Sequence, residues 1–170
     1  ISVDGVQAAK IYSGNSSAIR LTGANSGIDG FEIYGNWNQG SPGDGLVRPL
    51  GTSNVWVKNC MVHDAPMDCD VIKIGASNVL IENCIIYNAA HRTDGVSYQE
   101  CIDTYGTSPV PDGVTVRGCW IFHTADKGGD YLIYAKGGSK NVLWENNVFG
   151  PSGGYGNVAT GCGAASPEVF

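Results

Sequence analysis

Residues 78–84 read NVLIENC, an alternation of apolar and polar side chains that stops at an Asn-Cys pair. Alternation with a period of two predicts a β-strand with one buried face. The same pattern recurs as NVWVKNC at 54–60, GVTVRGC at 113–119 and NVLWENN at 141–147, with a weaker copy, GFEIYGN, at 30–36. The chain therefore uses one type of strand repeatedly.

The spacing of these copies predicts how the strands are arranged. Their first apolar residues stand at positions 31, 55, 79, 114 and 142, so the steps are 24, 24, 35 and 28 residues. A recurring interval of this size indicates a repeat array, and no segment carries the capped apolar stripe of a helix. Successive strands are then expected to stack in parallel about 4.8 Å apart, one per coil. We predict an all-β parallel solenoid of about six coils.

Length and charge restrict the classes of protein to which the chain can belong. Its 170 residues predict a single domain, 1–170. Both ends lie in strand-like segments without a recognisable end cap, so we expect a part of a longer chain. No apolar run reaches membrane-spanning length. The net charge of −6 disfavours nucleic acids and acidic membranes as partners. The sequence leaves the oligomeric state open.

The residues that close the repeats are expected to form a column at one corner of the solenoid. Cys60, Cys84 and Cys119 occupy equivalent positions in three copies, and Asn147 occupies that position in a fourth. Neighbouring coils would bring the cysteine Cα atoms within disulfide range. Free thiols that pack as small apolar groups are an equally consistent interpretation, so the sequence leaves the two alternatives open.

Each coil also contains a second strand, and these second strands are expected to form a sheet of their own. Their charged residues cannot lie unpaired in a thin core, so they should face outward in one stripe, flanked by the loops 36–45 and 88–99. Pro49 is poorly suited to a central strand and predicts a bulge in its coil. The charged residues of the stripe are Arg20, Arg48, Asp70, Lys73, Asp103, Asp130 and Lys136.

The phrases SNVWVKNC at 53–60 and GGSKNVLWENN at 137–147 resemble those of the right-handed parallel β-helix proteins of the pectate-lyase-like type. The resemblance covers nearly the whole chain and implies a right-handed solenoid. The family contains polysaccharide lyases, galacturonan hydrolases, C5-epimerases, phage tailspikes and adhesins, and the fold alone does not choose among them. The resemblance also implies an extracellular, cell-surface or periplasmic location.

The activity that this resemblance favours is cleavage of an acidic polysaccharide by a lyase. In lyase members, calcium held by carboxylates neutralises a uronate carboxylate while a Lys or Arg removes the α-proton, so that the 4-linked sugar leaves by β-elimination. The predicted metal ligands are Asp68, Asp70, Asp103 and Asp130. The predicted catalytic residues are Lys136, Lys73 and Arg48. The predicted substrate-binding residues are Arg20, His91, Arg92, Tyr105 and Tyr134.

Two other functions and one simpler interpretation of the stripe stay open at this point. A non-catalytic carbohydrate-binding or adhesin β-helix could stack sugars on aromatic residues such as Tyr105 and Tyr134. A hydrolase of the galacturonan type could use Asp68, Asp70 and Asp103 as its carboxylates, although the chain lacks the Gly-Asp-Asp and Gly-His-Gly signatures. The Arg-x-Pro-x-x-Arg segment of pectate lyases is also absent, and the stripe could be an ordinary solvated face.

Overall fold

The computed structural model describes residues 8–14, 16–36, 44–89, 99–105, 110–124, 131–135, 138–151 and 156–160. Within these residues the chain forms β-strands and no helix that is long and apolar enough to cross a membrane. The strands are β1 (Ala9–Ser13), β2 (Ile19–Leu21), β3 (Ser26–Asp29), β4 (Phe31–Gly35), β5 (Asp44–Lys58), β6 (Met61–His63), β7 (Cys69–Glu82), β8 (Ile85–Tyr87), β9 (Ile102–Thr104), β10 (Asp112–Arg117), β11 (Trp120–Phe122), β12 (Tyr131–Ala135), β13 (Lys140–Glu145), β14 (Val148–Phe149) and β15 (Gly156–Thr160).

The strands stack in parallel, as the repeat predicts, and they form three faces. Sheet one has the order β1-β4-β6-β8-β11-β14. Sheet two contains β2, the first part of β5, the first part of β7, β9, β12 and β15. Sheet three contains β3, the second parts of β5 and β7, β10 and β13. The fold is therefore an all-β parallel solenoid.

The long strands β5 and β7 turn the corner between sheet two and sheet three without a break in the chain. The pairing of β5 with β7 shifts register between Leu50 and Ser53, next to Pro49. This irregularity confirms the bulge that Pro49 predicts, because proline has no N–H to give to the ladder.

The corner between sheet three and sheet one is a turn that needs a backbone conformation of positive φ. Asn59, Asn83 and Asn146 adopt φ values of 50°, 54° and 53° at this corner, and Gly118 adopts 63°. Asparagine and glycine tolerate this region better than other residues. A Cβ at Gly118 would also lie 2.6 Å from Asn83 Oδ1, so glycine makes room for the amide of the coil before it.

The predicted column of Cys and Asn residues follows this turn. The Cys84 amide donates to Cys119 Sγ at 3.4 Å, and the Cys119 amide donates to Asn147 Oδ1 at 3.0 Å. The side chains of Cys119 and Asn147 thus each accept the amide hydrogen of the equivalent residue one coil earlier. Asn147 occupies the position that a cysteine has in the preceding coils. The described cysteines, Cys60, Cys69, Cys84, Cys101 and Cys119, are buried free thiols.

The core contains the apolar residues that the alternation assigns to the buried face. Val55, Val79, Val114 and Val142 pair in register on sheet three and are almost completely buried. The chain makes about four turns between β3 and β13. The prediction of about six coils is therefore somewhat too high, because it counts the incomplete coils at both ends as full turns.

Candidate functional site

The outer face of sheet two owes its geometry to an irregularity at Val71. The amides of Val71 and Ile72 both donate to the next coil, to Glu100 O at 3.0 Å and to Cys101 O at 2.9 Å. In a regular strand, successive amides point to opposite sides. The irregularity brings side chains three positions apart onto one face, and Asp70 Oδ2 lies 2.8 Å from Lys73 Nζ.

The same spacing recurs on successive coils. The segments are SAIR at 17–20, GLVR at 45–48, DVIK at 70–73, ECID at 100–103 and YLIY at 131–134. Their third residues stack in register, from Ile19 through Val47, Ile72 and Ile102 to Ile133. We call the first residues of the segments the leading column: Ser17, Gly45, Asp70, Glu100 and Tyr131. We call their last residues the trailing column: Arg20, Arg48, Lys73, Asp103 and Tyr134.

The cationic end of the trailing column is organised by Asp44. Its carboxylate accepts hydrogen bonds from Arg20 Nη2 at 2.8 Å and Arg48 Nη1 at 2.6 Å, and its side chain is only 8% exposed. Burial opposes ionisation of Asp44, but hydrogen bonds from Ser17, Arg48 and Arg20 outweigh it and hold the pKa of the carboxyl well below its ordinary range. Asp44 thus holds two guanidinium groups side by side.

Lys73 continues the trailing column as a buried cation between two carboxylates. Its Nζ lies 2.8 Å from Asp70 Oδ2 and 3.3 Å from Asp103 Oδ2. Burial disfavours the ammonium, but Asp70 and Asp103 outweigh this effect and raise the pKa of Lys73 above its ordinary range. Lys73 therefore keeps its proton at neutral pH, which suits a fixed positive charge better than a general base.

A third carboxylate completes this centre. Oxygen atoms of Asp70, Glu100 and Asp103 lie within 4.8 Å of one another, and all three residues are buried. The Glu100 amide also donates to Asp70 Oδ1 at 2.9 Å. Three carboxylates are the donors that calcium prefers, so the donor set fits this ion. The Lys73 ammonium lies against the same oxygens and would compete with it.

The leading and trailing columns both end in tyrosines, Tyr131 and Tyr134. Tyr134 pairs in register with Asp103, and its ring contacts that of Tyr131 edge to face with 5.4 Å between centroids. Tyr105 follows β9, is 45% exposed and lies with its ring centroid 5.2 Å from Lys73 Nζ. Along one face, the sequence of groups is therefore cation, carboxylate and aromatic ring.

The structure brings most of the described predicted site residues together on sheet two. Arg20, Arg48, Lys73 and Asp103 form the predicted stripe, with Asp70 beside them. Asp68 has a φ of 64° in the turn before β7 and does not belong to the three-carboxylate group found among the described residues. The other predicted residues lie outside the described residues: His91, Arg92, Asp130 and Lys136.

Two residues of this site are missing from the sequence prediction. Asp44 precedes the segment GLVR, and Glu100 begins the segment ECID. The pattern of a polar residue, two apolar residues and a second polar residue occurs in DVIK at 70–73 and again in ECID at 100–103, and it could have identified Glu100. That spacing of three departs from the period of a regular strand, and therefore a search for alternation overlooks it.

Comparison with known proteins supports the assignment of the fold. The family model described as the right-handed β-helix region matches residues 2–166. No curated protein matches the sequence. Among solved structures, the A-module of mannuronan C-5 epimerase AlgE4 from Azotobacter vinelandii matches with a TM-score of 0.54 and 14% identity, over 84% of this chain. The present chain spans only 37% of that module.

A second solved structure is described as a "putative glycosyl hydrolase" of Parabacteroides merdae. It matches with a TM-score of 0.47 and 11% identity, over 95% of this chain and 80% of its own. Because the family model covers nearly all of the sequence, the chain belongs to the right-handed β-helix family.

Proposed function

We propose that this chain is part of a carbohydrate-active β-helix enzyme that binds a uronic-acid polysaccharide along the outer face of sheet two. The observation that carries the proposal is the trailing column, in which Arg20, Arg48 and Lys73 precede Asp103 and Tyr134. Arg20 and Arg48 carry two positive charges against the one carboxylate of Asp44, so this end of the column favours an anionic polymer although the chain has a net charge of −6. The tyrosine at the end of the column offers a ring for stacking.

The reaction that we propose is β-elimination. A base removes the proton at C5, the electron pair forms the C4–C5 double bond, and the glycosidic oxygen at C4 leaves and takes up a proton. The barrier falls when positive charge stabilises the carboxylate as negative charge develops on it. We assign this role to Arg48, since its side chain is 24% exposed whereas that of Lys73 is 10% exposed, and since Arg20, at 55%, lies one coil further from the carboxylates.

We assign Lys73 to an electrostatic role and keep Lys136 as the proposed base. Lys73 is held as an ammonium by Asp70 and Asp103, so it contributes a fixed charge. Lys136 lies outside the described residues, and its role rests on the sequence prediction. Calcium, when bound, would supply further positive charge for the uronate carboxylate, and Asp70, Glu100 and Asp103 would hold it. The proposed substrate also favours an extracellular, cell-surface or periplasmic location.

The test is incubation with polygalacturonate and with alginate, with and without calcium, while the ultraviolet absorbance of the unsaturated product is recorded. Lyase activity predicts a rising absorbance that Lys136→Ala abolishes and that Arg48→Gln lowers by roughly a hundredfold. Lys10→Gln removes the same charge from sheet one and should leave the rate unchanged.

Other outcomes would assign other functions. New reducing ends without absorbance would indicate a hydrolase. A change in the C5 configuration of the polymer by NMR, without cleavage, would indicate an epimerase, which shares the first proton transfer. Binding without any reaction would indicate a carbohydrate-binding or adhesin module and would contradict the lyase proposal.

A further inference from the structure

The outer face of sheet three carries a groove that is separate from the site on sheet two. Its volume is about 230 Å³, which is smaller than a typical pocket for a drug-sized ligand and suits a single sugar ring. The residues that line it come from three successive coils. They include Asn25, Asn54, Trp56, Lys58, Asn78 and Leu80.

One wall of the groove is apolar and held in place. Trp56 pairs in register with Gly27 on one side and Leu80 on the other. A Cβ at Gly27 would lie 2.5 Å from Trp56 Cγ, so the indole packs directly over the glycine backbone. The indole stays partly exposed. It therefore offers a fixed aromatic surface of the kind that covers the apolar face of a pyranose.

The lining also contains a ladder of exposed amides. Asn54 Nδ2 donates to Asn25 Oδ1 at 3.1 Å, and Asn78 Nδ2 donates to Asn54 Oδ1 at 3.2 Å. Asn54 and Asn78 adopt φ values of 56° and 51°, which fixes their place at the corner. Each amide group has two N–H donors and the ladder uses one of them. The remaining donor of each suits a sugar hydroxyl.

Lys58 supplies the charge of the groove. Its Nζ lies 3.3 Å from Glu82 Oε2, and its side chain is 33% exposed. Glu82 also accepts a hydrogen bond from Arg117 Nε at 2.6 Å, so its negative charge is compensated from the other side. Lys58 lies in register between Asp29 and Glu82. An ammonium has three donors, so the ion pair with Glu82 leaves donors of Lys58 for a sugar carboxylate. Among the described residues that line the groove, Lys58 is the charged one.

We propose that this groove is a second, non-catalytic site that binds one uronic-acid unit of a polysaccharide. The apolar face of the sugar packs on Trp56, its hydroxyls bind the amides of Asn54 and Asn78, and its carboxylate binds Lys58. The assignment of the sugar as a uronate rests on the proposed function. The assignment of the groove as a sugar site does not, because it follows from Trp56 and the asparagine amides. A second contact on another face raises the effective concentration of the polymer at sheet two.

Affinity electrophoresis in native gels that contain polygalacturonate or alginate tests the site. Trp56→Ala should weaken retention roughly tenfold, and Lys58→Gln should weaken it roughly threefold. The matched control is Trp120→Ala, which removes a 48% exposed indole from sheet one and should leave retention unchanged. Because Lys58→Gln removes only a partly exposed charge, its result remains valid if Trp56→Ala folds poorly. Retention equal to wild type in both Trp56→Ala and Lys58→Gln overturns the site.

Measurements of both retention and cleavage distinguish a failure of this site from a failure of the proposed lyase activity. Trp56→Ala should cleave a short uronate oligomer at the wild-type rate, because such an oligomer does not span both faces. If no unsaturated product forms but retention still depends on Trp56, the groove stands and the lyase proposal fails. If a neutral galactan is retained as strongly as polygalacturonate and Lys58→Gln has no effect, the assignment of a uronate is wrong.

Discussion

Asp44 illustrates at the scale of one residue how a buried charge is kept in this fold. The carboxylate lies almost out of contact with solvent, and two guanidinium groups and the Gly45 amide surround it. Removal of one partner from a buried pair costs more than the pair contributes, because the remaining charge is left without compensation. Asp44 is therefore a positioning residue for Arg20 and Arg48.

Asp44→Asn should lower the free energy of unfolding by about 3 kcal/mol at pH 7. The pKa of Asp44 is depressed in the folded state. Its contribution is thus fully present above the unfolded pKa of about 3.9 and is lost progressively as the pH falls from that value through the lower pKa of the folded state. Urea unfolding at pH 7 and pH 3 should show the difference between wild type and variant shrinking at the lower pH. A difference that stays constant would contradict this assignment.

Gly45 is a second residue whose identity the site requires. A Cβ at this position would lie 2.5 Å from Lys73 Cβ and 2.9 Å from Lys73 N. Gly45→Ala should therefore destabilise the protein by about 1–3 kcal/mol through displacement of β7. Gly14→Ala is the matched control, since a Cβ at Gly14 would have no atom within 4 Å. Equal unfolding midpoints for the two variants in urea would show that the protein accommodates the Gly45 methyl group against Lys73 without loss of stability.

At the scale of the element, the irregularity of β7 decides which side chains meet. A regular strand would place Asp70 and Lys73 on opposite faces. Because Val71 and Ile72 both donate to the next coil, Asp70 and Lys73 share the outer face, and Asp103 joins them from β9. The centre of the site therefore depends on backbone hydrogen bonding between two coils.

Lys73→Met should expose the competition between the ammonium and calcium for the carboxylates. The substitution leaves Asp70, Glu100 and Asp103 without their cation, so we expect a loss of about 3 kcal/mol in the free energy of unfolding. Calcium should restore part of this loss and raise the Tm of the variant more than that of the wild type. Magnesium, which demands a smaller octahedral site, is the control ion in the same thermal scans. An equal response to calcium in both proteins would contradict the competition.

At the scale of the whole molecule, the distribution of charge differs from face to face. On sheet three, the outer column alternates in sign from Asp29 through Lys58, Glu82 and Arg117 to Glu145. On sheet two, Arg20, Arg48 and Lys73 follow one another with the same sign. Asp70 and Asp103 compensate Lys73, but Asp44 compensates only one of the two arginines, so positive charge remains at the Arg20–Arg48 end of sheet two, whereas the opposite charges on sheet three largely cancel at a distance.

Arg48→Gln and Lys10→Gln both change the net charge from −6 to −7, but they act on different faces. Arg48→Gln should weaken binding of a uronate oligomer several-fold at low salt and reduce its dependence on salt, because screening acts on fewer attractive contacts. Lys10, which pairs with Glu32 on sheet one, should have no such effect. Isothermal titration at two salt concentrations measures both variants. Equal weakening would mean that only net charge matters.

The part of the fold that could be predicted is the part that repeats locally. The valines at 55, 79, 114 and 142 alternate with polar residues, and this alternation predicts their burial and their stacking. The alignment of Arg20, Arg48, Lys73 and Asp103 in one stripe also follows from the repeat, but Lys73 and Asp103 are buried and paired with each other rather than solvated. Glu100 and Asp44 could not be found in this way, since both depend on contacts between coils that are separated by loops of unequal length.

The sequence by itself determined the architecture, because a period-two pattern that recurs every 24 to 35 residues can bury its apolar face only by stacking. Tertiary structure alone decided how the charges are grouped. The irregular hydrogen bonds of Val71 and Ile72 set the spacing between Asp70 and Lys73. The register between coils sets which carboxylate meets which cation. Both depend on contacts between residues about 30 positions apart. The local conformational preferences of the sequence do not predict contacts at such a separation.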